Sequence, residues 1–309
     1  MGDVVGVISP SSPPPDPDAI GRSVAALEKL GFRPRLGPHA HDRHGFLAGS
    51  DADRAADLMQ MFTNPEVKAI FCVRGGYGTA RILGLLDYEA IRRNPKILVG
   101  FSDATTLHCA LQIHASLISF HGPMLNSGLA ASDVPPFVAQ SLLRAISEPS
   151  PPGSICQGYE KKTVEIIHGG VAEGELIGGN ITVLCTTVGT RYQPDFKNKI
   201  LLLEEVDEKP YRIDRNLTHL HNTGLLGQVA GVAVGINHNC DDPRAATAGE
   251  YRQTVADVLK ERLASLGVPV VAGLPFGHIP WNATMPLGVQ ARLDGKQGDL
   301  VITEPGVKF

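Results

Sequence analysis

Short apolar runs alternate with longer amphipathic stretches from the N-terminus onward, and this alternation constrains the fold more than any other feature. The runs VVGVIS, FRPRLG, KAIFCV, KILVGFS and LISFHGP have the length of buried strands, and all but FRPRLG carry β-branched residues. Between them lie DAIGRSVAALEKLG, SDADRAADLMQMF, TARILGLL and DATTLHCALQIHA, whose apolar residues recur at helical spacing. Strands separated by helices of this length pair in parallel, because a right-handed crossover returns the chain to the same sheet edge. The first half is therefore expected to be a doubly wound parallel sheet.

The chain has 309 residues, more than one hydrophobic core usually organises, so two domains are expected. The segment from Ser147 to Gly158 reads SEPSPPGSICQG, and its prolines cannot continue a helix or a central strand. This places an N-terminal domain at 1–147, a linker at 148–158 and a C-terminal domain at 159–309. The second half has a different texture. KILLLEEV, QVAGVAVGI and VPVVAGLPF read as buried strands, and TVEIIHGGVAEGELIGGN as short strands with glycine turns. Helices are expected over 213–223 and 248–266, and GVQARLDGKQGDLVITE carries an antiparallel hairpin signal. A mixed α/β domain is expected there.

Composition narrows the partners. A net charge of -4 gives no basic footprint for nucleic acid, and 43% hydrophobic with 19% charged residues is ordinary for a globular enzyme. The N-terminus lacks the basic and apolar regions of a secretory signal, and no run approaches the roughly 18 apolar residues of a membrane span. A cytoplasmic protein without membrane partner is expected. The five cysteines form no C-x-x-C pair, so neither a disulfide framework nor a thiolate metal site is expected.

In KILVGFSDATTL a strand runs into Gly100-Phe101-Ser102-Asp103-Ala104 and then a helix. Small residues at 100 and 104 permit the sharp turn of a nucleophile elbow, with the Asp103 amide at a helix N-terminus facing a developing oxyanion. The alternative is that Ser102 caps the helix. In FCVRGGYGTARIL a strand meets Gly75-Gly76-Tyr77-Gly78, a loop whose amides can approach an anion, with Gly76 as a second oxyanion donor. It matches neither nucleotide-binding glycine pattern. A serine nucleophile needs a base, and the base needs an orienting group. Acids stand at 204, 205, 207 and 208 where a strand gives out, and His278 lies in a Gly- and Pro-rich loop after another strand. The alternative for His278 is a loop histidine bonded to backbone.

Six segments in order, VRGGYGTARIL, NPKILVGFSDATTLHCAL, SFHGPM, LIGGNITVL, ILLLEEVDEKPYRIDR and LPFGHIPWNATMPLGV, resemble the LD-carboxypeptidase family along nearly the whole chain. The resemblance implies a serine carboxypeptidase with a Ser-His-Glu triad and an active site in the interdomain cleft. Ser102 matches the family's G-[YF]-S-D nucleophile and His278 its G-H loop. Glu204 matches its first acid after the apolar strand, with Glu208 the runner-up. Asp103 and Gly76 match its oxyanion donors. Also implied are a homodimer, a murein tetrapeptide substrate losing its terminal D-alanine in cell-wall recycling, and no metal or other cofactor. Two rivals stand beside this: a microcin-immunity branch cleaving peptidyl- or aminoacyl-adenylates with the same triad, and a non-catalytic anion or ligand-binding protein.

Other polar residues have plainer readings. His39, His41 and His44 read as a solvated loop rather than a metal site, and His219 and His221 do not share a helix face. Arg74 and Arg81 flank the glycine loop as surface ion-pair partners or substrate contacts.

Overall fold

The structure, a computed structural model, describes residues 2–14, 16–159, 163–241 and 253–308. The chain divides into two compact units, Met1–Pro149 with Pro280–Gly288 and Gly306–Phe309, and Ser150–Ile279 with Val289–Pro305.

The first unit follows the strand–helix alternation of the sequence. Its elements are β1 Val4–Ile8, α1 Ala19–Lys29, β2 Arg33–Leu36, α2 Asp51–Thr63, β3 Val67–Cys72, α3 Thr79–Ile82, α4 Tyr88–Arg93, β4 Ile97–Gly100, α5 Thr105–Ala115, β5 Ser119–His121 and α6 Pro136–Ser147. Five strands lie parallel in the order β5-β4-β3-β1-β2, so the winding direction reverses beside β1. A reversal of this kind opens a crevice at the carboxyl ends of the strands. Val5, Val7, Ile70, Phe71, Leu98 and Val99 are wholly buried in this sheet. Burial of such a side chain stabilises the fold by about 1.5–3 kcal/mol each. Ser50 starts α2 by accepting a bond from the Asp53 amide, and Asp51 and Asp53 add negative charge where the helix dipole favours it.

A sixth strand, β12 Met285–Leu287, lies antiparallel on β5. The final third of the chain is thus not one domain running to 309: Pro280–Gly288 and Gly306–Phe309 belong with the first unit. Met285 and Leu287 find their apolar partners on the edge of the parallel sheet and are buried there.

The second unit holds β6 Gly153–Ser154, β7 Glu165–His168, β8 Val171–Asn180, α7 Ile181–Cys185, β9 Ile200–Glu204, α8 Pro210–Asn222, β10 Gly231–Gly235, α9 Val255–Leu263, β11 Val270–Leu274, β13 Gln290–Asp294 and β14 Asp299–Ile302. They form one mixed sheet, β6-β14-β13-β8-β9-β10-β11-β7, with β8 to β11 parallel and both flanks antiparallel. The hairpin signal is β13–β14. The expected linker is partly folded, because Gly153 and Ser154 pair with β14 and Ile155 and Cys156 are buried. Helix α8 begins at Pro210, ahead of the expected start, since proline suits the first turn of a helix. Of the helix expected over 248–266, residues 248–252 lie outside the described residues; α9 starts after a Thr254–Asp257 capping box.

Candidate active site

Ser102 stands directly beyond β4 with φ 59°, a left-handed conformation rare for a residue with a Cβ. The turn needs small neighbours. A Cβ on Gly100 would lie 3.1 Å from Cys72 Sγ and 3.2 Å from Ala104 Cβ. Helix α5 takes Ala104 as its N-cap, without a side-chain cap bond from that residue. Below the turn, the Gly100 carbonyl accepts bonds from His108 Nε2 at 2.9 Å and from the Gly122 amide at 3.1 Å. A carbonyl only accepts, so Nε2 carries the proton, and Nδ1 accepts from Ser119 Oγ at 2.8 Å. Burial holds the His108 pKa down at about 4, which keeps the ring neutral.

The glycine loop lies against this turn. A Cβ on Gly75 would sit 3.2 Å from Ser102 Oγ and 3.5 Å from the Asp103 amide nitrogen. Gly76, at φ 102°, faces Ser12 instead, too closely for a side chain to be added. Ser12 secures the loop: its amide donates to the Gly75 carbonyl at 3.2 Å and its Oγ accepts from the Tyr77 amide at 3.1 Å. At the far end, buried Arg54 donates to the carbonyls of Gly78 and Pro10 and pairs with Asp51.

In the second unit, Glu204 closes β9 wholly buried, and its Oε2 lies 2.7 Å from His278 Nδ1. The loop that delivers His278 depends on Gly277 at φ 113°, where a Cβ would lie 3.0 Å from Glu204 Oε2 and 3.1 Å from the Ile236 carbonyl. Engagement of Nδ1 by the carboxylate fixes the orientation of the imidazole ring. Neighbouring Glu205 points elsewhere. It accepts bonds from Asn180 Nδ2 at 2.7 Å, Thr182 Oγ1 at 2.6 Å and the amides of Thr182 and Val206 at 3.0 Å. Burial pushes the Glu205 carboxyl pKa up, and these donors partly offset the rise. Glu208 pairs with Arg212 on α8 at 3.1 Å.

Ser102 and the glycine loop thus belong to the first unit, and the Glu204–His278 pair to the second. Arg81 is taken up by a fork of bonds to Asp51, and Arg74 donates to the Pro13 carbonyl at 3.1 Å. His41, His44, His219 and His221 are exposed. His39 donates to buried Asp57, which raises the histidine pKa. With Asp42 and with Asp53 of α2 it brings three potential ligand atoms within 4.8 Å of one another. The supporting residues His108, Thr79 and Arg54 escape sequence reasoning. For His108 the signal is a polar residue among apolar neighbours in a helix, as in LHCAL, which cannot identify its partner.

Two family models match the chain: the LD-carboxypeptidase N-terminal domain over residues 5–122 and the LD-carboxypeptidase C-terminal domain over residues 173–293. A probable murein peptide carboxypeptidase of Bacillus subtilis (strain 168) is 39% identical over 306 residues, 99% of this chain and 93% of that protein. The crystal structure of a muramoyltetrapeptide carboxypeptidase from Oxalobacter formigenes matches with TM-score 0.84 and 30% identity, over 98% of this chain and 99% of that one. The microcin C7 self-immunity protein MccF of Escherichia coli is 27% identical over 98% of this chain and 94% of its own length. Carrying both family domains in order and matching its relatives from end to end, the chain belongs to the LD-carboxypeptidase family.

Proposed function

We propose that this carboxypeptidase hydrolyses the L,D-peptide bond to the terminal D-alanine of murein tetrapeptide, with Ser102, His278 and Glu204 acting as one triad. The observation that carries the reading is the 2.7 Å bond from Glu204 Oε2 to His278 Nδ1, since it fixes the tautomer that makes Nε2 a base. Ser102 Oγ bonds to the scissile carbonyl carbon as its proton passes to His278 Nε2. The resulting oxyanion is held by the amides of Asp103 and Gly76. When the tetrahedral species collapses, the C–N bond breaks, His278 returns the proton to the leaving amine and D-alanine departs. Water then attacks the acyl-serine ester by the same route, restoring Ser102 and releasing the tripeptide. Every proton is passed within the triad, so the cycle is complete without a cofactor.

This reading places the reaction in the cytoplasm, where tetrapeptides would return for recycling. No helix among the described residues is long and apolar enough to cross a membrane. A second reading, cleavage of peptidyl- or aminoacyl-adenylates, has the self-immunity relative in its favour. The E-K-P-Y-R-I-D-R segment from Glu208 to Arg215 favours the murein reading, through its resemblance to that branch.

The test is release of D-alanine from murein tetrapeptide by the wild type and by Ser102→Ala and His278→Ala, with folding followed by circular dichroism. Wild-type release, lost in both folded variants, is the expected result. An inactive wild type that instead hydrolyses an aminoacyl-adenylate analogue would overturn the murein substrate and keep the triad. Inactivity on both substrates, without labelling of Ser102 by a fluorophosphonate, would leave a binding protein.

A further inference from the structure

The proposed oxyanion hole draws its donors from two separate segments, and the sheet alone does not fix the distance between them. Strands β3 and β4 pair only over Ala69–Phe71 and Ile97–Val99. Beyond that ladder the chain runs five residues from Phe71 to Gly76 and four from Val99 to Asp103. Both extensions contain left-handed backbone, at Gly76 on one side and Ser102 on the other. A misplacement of about 1 Å in such a site lowers turnover on the order of a hundredfold.

Thr79, the first residue of α3, bridges the gap. Its amide donates to Asp103 Oδ2 at 2.9 Å, and its hydroxyl donates to the Asp103 carbonyl. Because the one hydroxyl proton of Thr79 is used on that carbonyl, the 2.8 Å contact between Thr79 Oγ1 and Thr106 Oγ1 has Thr106 as the donor. Thr79, Thr106 and Asp103 are all buried, and hydrogen bonds in such surroundings are expensive to leave unmade. Two bonds to one residue, one to its side chain and one to its main chain, fix both separation and rotation. The other ends of the glycine loop are tied to Ser12 and Arg54, outside the turn that carries the nucleophile.

We infer that the Thr79–Asp103 clamp sets the spacing between the two arms of the oxyanion hole, which makes Thr79 a positioning residue for the reaction. The inference rests on the carboxypeptidase reading of Ser102 given above. It also gives the Asp103 carboxylate a task separate from that of its amide: the amide faces the oxyanion and the carboxylate holds the opposite wall.

The experiment compares an acyl-depsipeptide ester ending in D-lactate with its thiono-ester, in which sulfur replaces the carbonyl oxygen. A well-set hole built for oxygen rejects the larger, weaker acceptor, so the oxo-to-thiono ratio of kcat reports the hole itself. The wild type, Thr79→Val, Thr79→Ser and Asp103→Ala are measured, with folding checked by circular dichroism. Thr79→Val is expected to lower kcat on the oxo-ester about tenfold to hundredfold with KM nearly unchanged, and to lower the oxo-to-thiono ratio in proportion. Thr79→Ser, which keeps the hydroxyl, should restore both. If Thr79→Val does not fold, Asp103→Ala carries the same expectation, since it removes the carboxylate and keeps the amide donor. A fall in kcat with an unchanged ratio, or no fall in a folded variant, would overturn the clamp alone. A wild type that turns over neither ester would take down the underlying carboxypeptidase reading, and the clamp with it.

Discussion

The two ends of the proposed triad are built by different means. At the nucleophile end the special feature is backbone: Ser102 is held at φ 59° by close packing at Gly100 and by bonds from His108 and Gly122 to the Gly100 carbonyl. At the base end the special feature is side chain. Glu204 terminates an ordinary strand and reaches His278 directly, and the positive φ beside the histidine is taken by a glycine, Gly277. A strained backbone persists only where its surroundings over-determine it. A side-chain pair on a regular strand needs no such support. Substitutions at the base end should therefore remove chemistry and spare stability, whereas substitutions beneath the nucleophile should show first in stability.

The largest effect is expected for Glu204→Gln. The amide keeps the size of the carboxylate but no longer fixes the imidazole tautomer or offsets its charge. A comparable loss of the orienting carboxylate lowers kcat by about ten-thousandfold. Stability should change little. Glu204 Oε1 is buried with no hydrogen-bond partner among the described residues, so the wild type already carries a desolvated carboxylate. Assays of D-alanine release alongside thermal unfolding check both halves. A fall in Tm of more than about 5 °C would break the contrast, because it would give the base end a structural task as well.

His108 supplies the opposite case. Its ordinary pKa of 6.5 applies in the unfolded chain, and the folded value is about 4, so between these limits the unfolded state binds the extra proton. Stability is then full above pH 6.5 and falls as the pH drops toward 4. At 1.36 kcal/mol per pKa unit, this single group accounts for about 3 kcal/mol of acid sensitivity. His108→Gln should be less stable at neutral pH, through the weakened bond to Gly100, and its unfolding free energy should vary less between pH 7.5 and 4.5. Urea titrations of both proteins at the two pH values measure the difference. Parallel pH dependence in wild type and variant would remove His108 from the support of the elbow.

How much of this was legible in the sequence follows from the physics of each part. The parallel sheet was, because period and crossover length are local properties of the chain. The strand–turn–helix around Ser102 was, because small residues must flank such a turn. The return of Met285–Leu287 to the first sheet was not, since a three-residue apolar run fits either sheet edge. Nor could periodicity say which of Glu204 and Glu205 faces the histidine. Strand β9 is buried at every position, so its pattern has no polar face to orient it, and only the family resemblance separated the two. Partners such as Thr79 with Asp103, 24 residues apart, are set by the packing of neighbouring strands, and no local pattern encodes them.

Glu205 gives the smallest effect and the sharpest form of the comparison, because it adjoins Glu204 and should respond in the reverse sense. Its carboxylate accepts from Asn180, from the hydroxyl and amide of Thr182 and from the Val206 amide, which ties the end of β9 to the start of α7. In Glu205→Gln one oxygen becomes an NH2 group facing donors, so at least one buried donor loses its acceptor. The cost is about 1–3 kcal/mol, visible as a lower urea midpoint at neutral pH. Turnover by the folded fraction should stay within about twofold of wild type, since the change removes no proton carrier and no oxyanion donor. A large loss of kcat without loss of stability would mean that the alternation at the strand end does not divide the two glutamates into one chemical and one structural role.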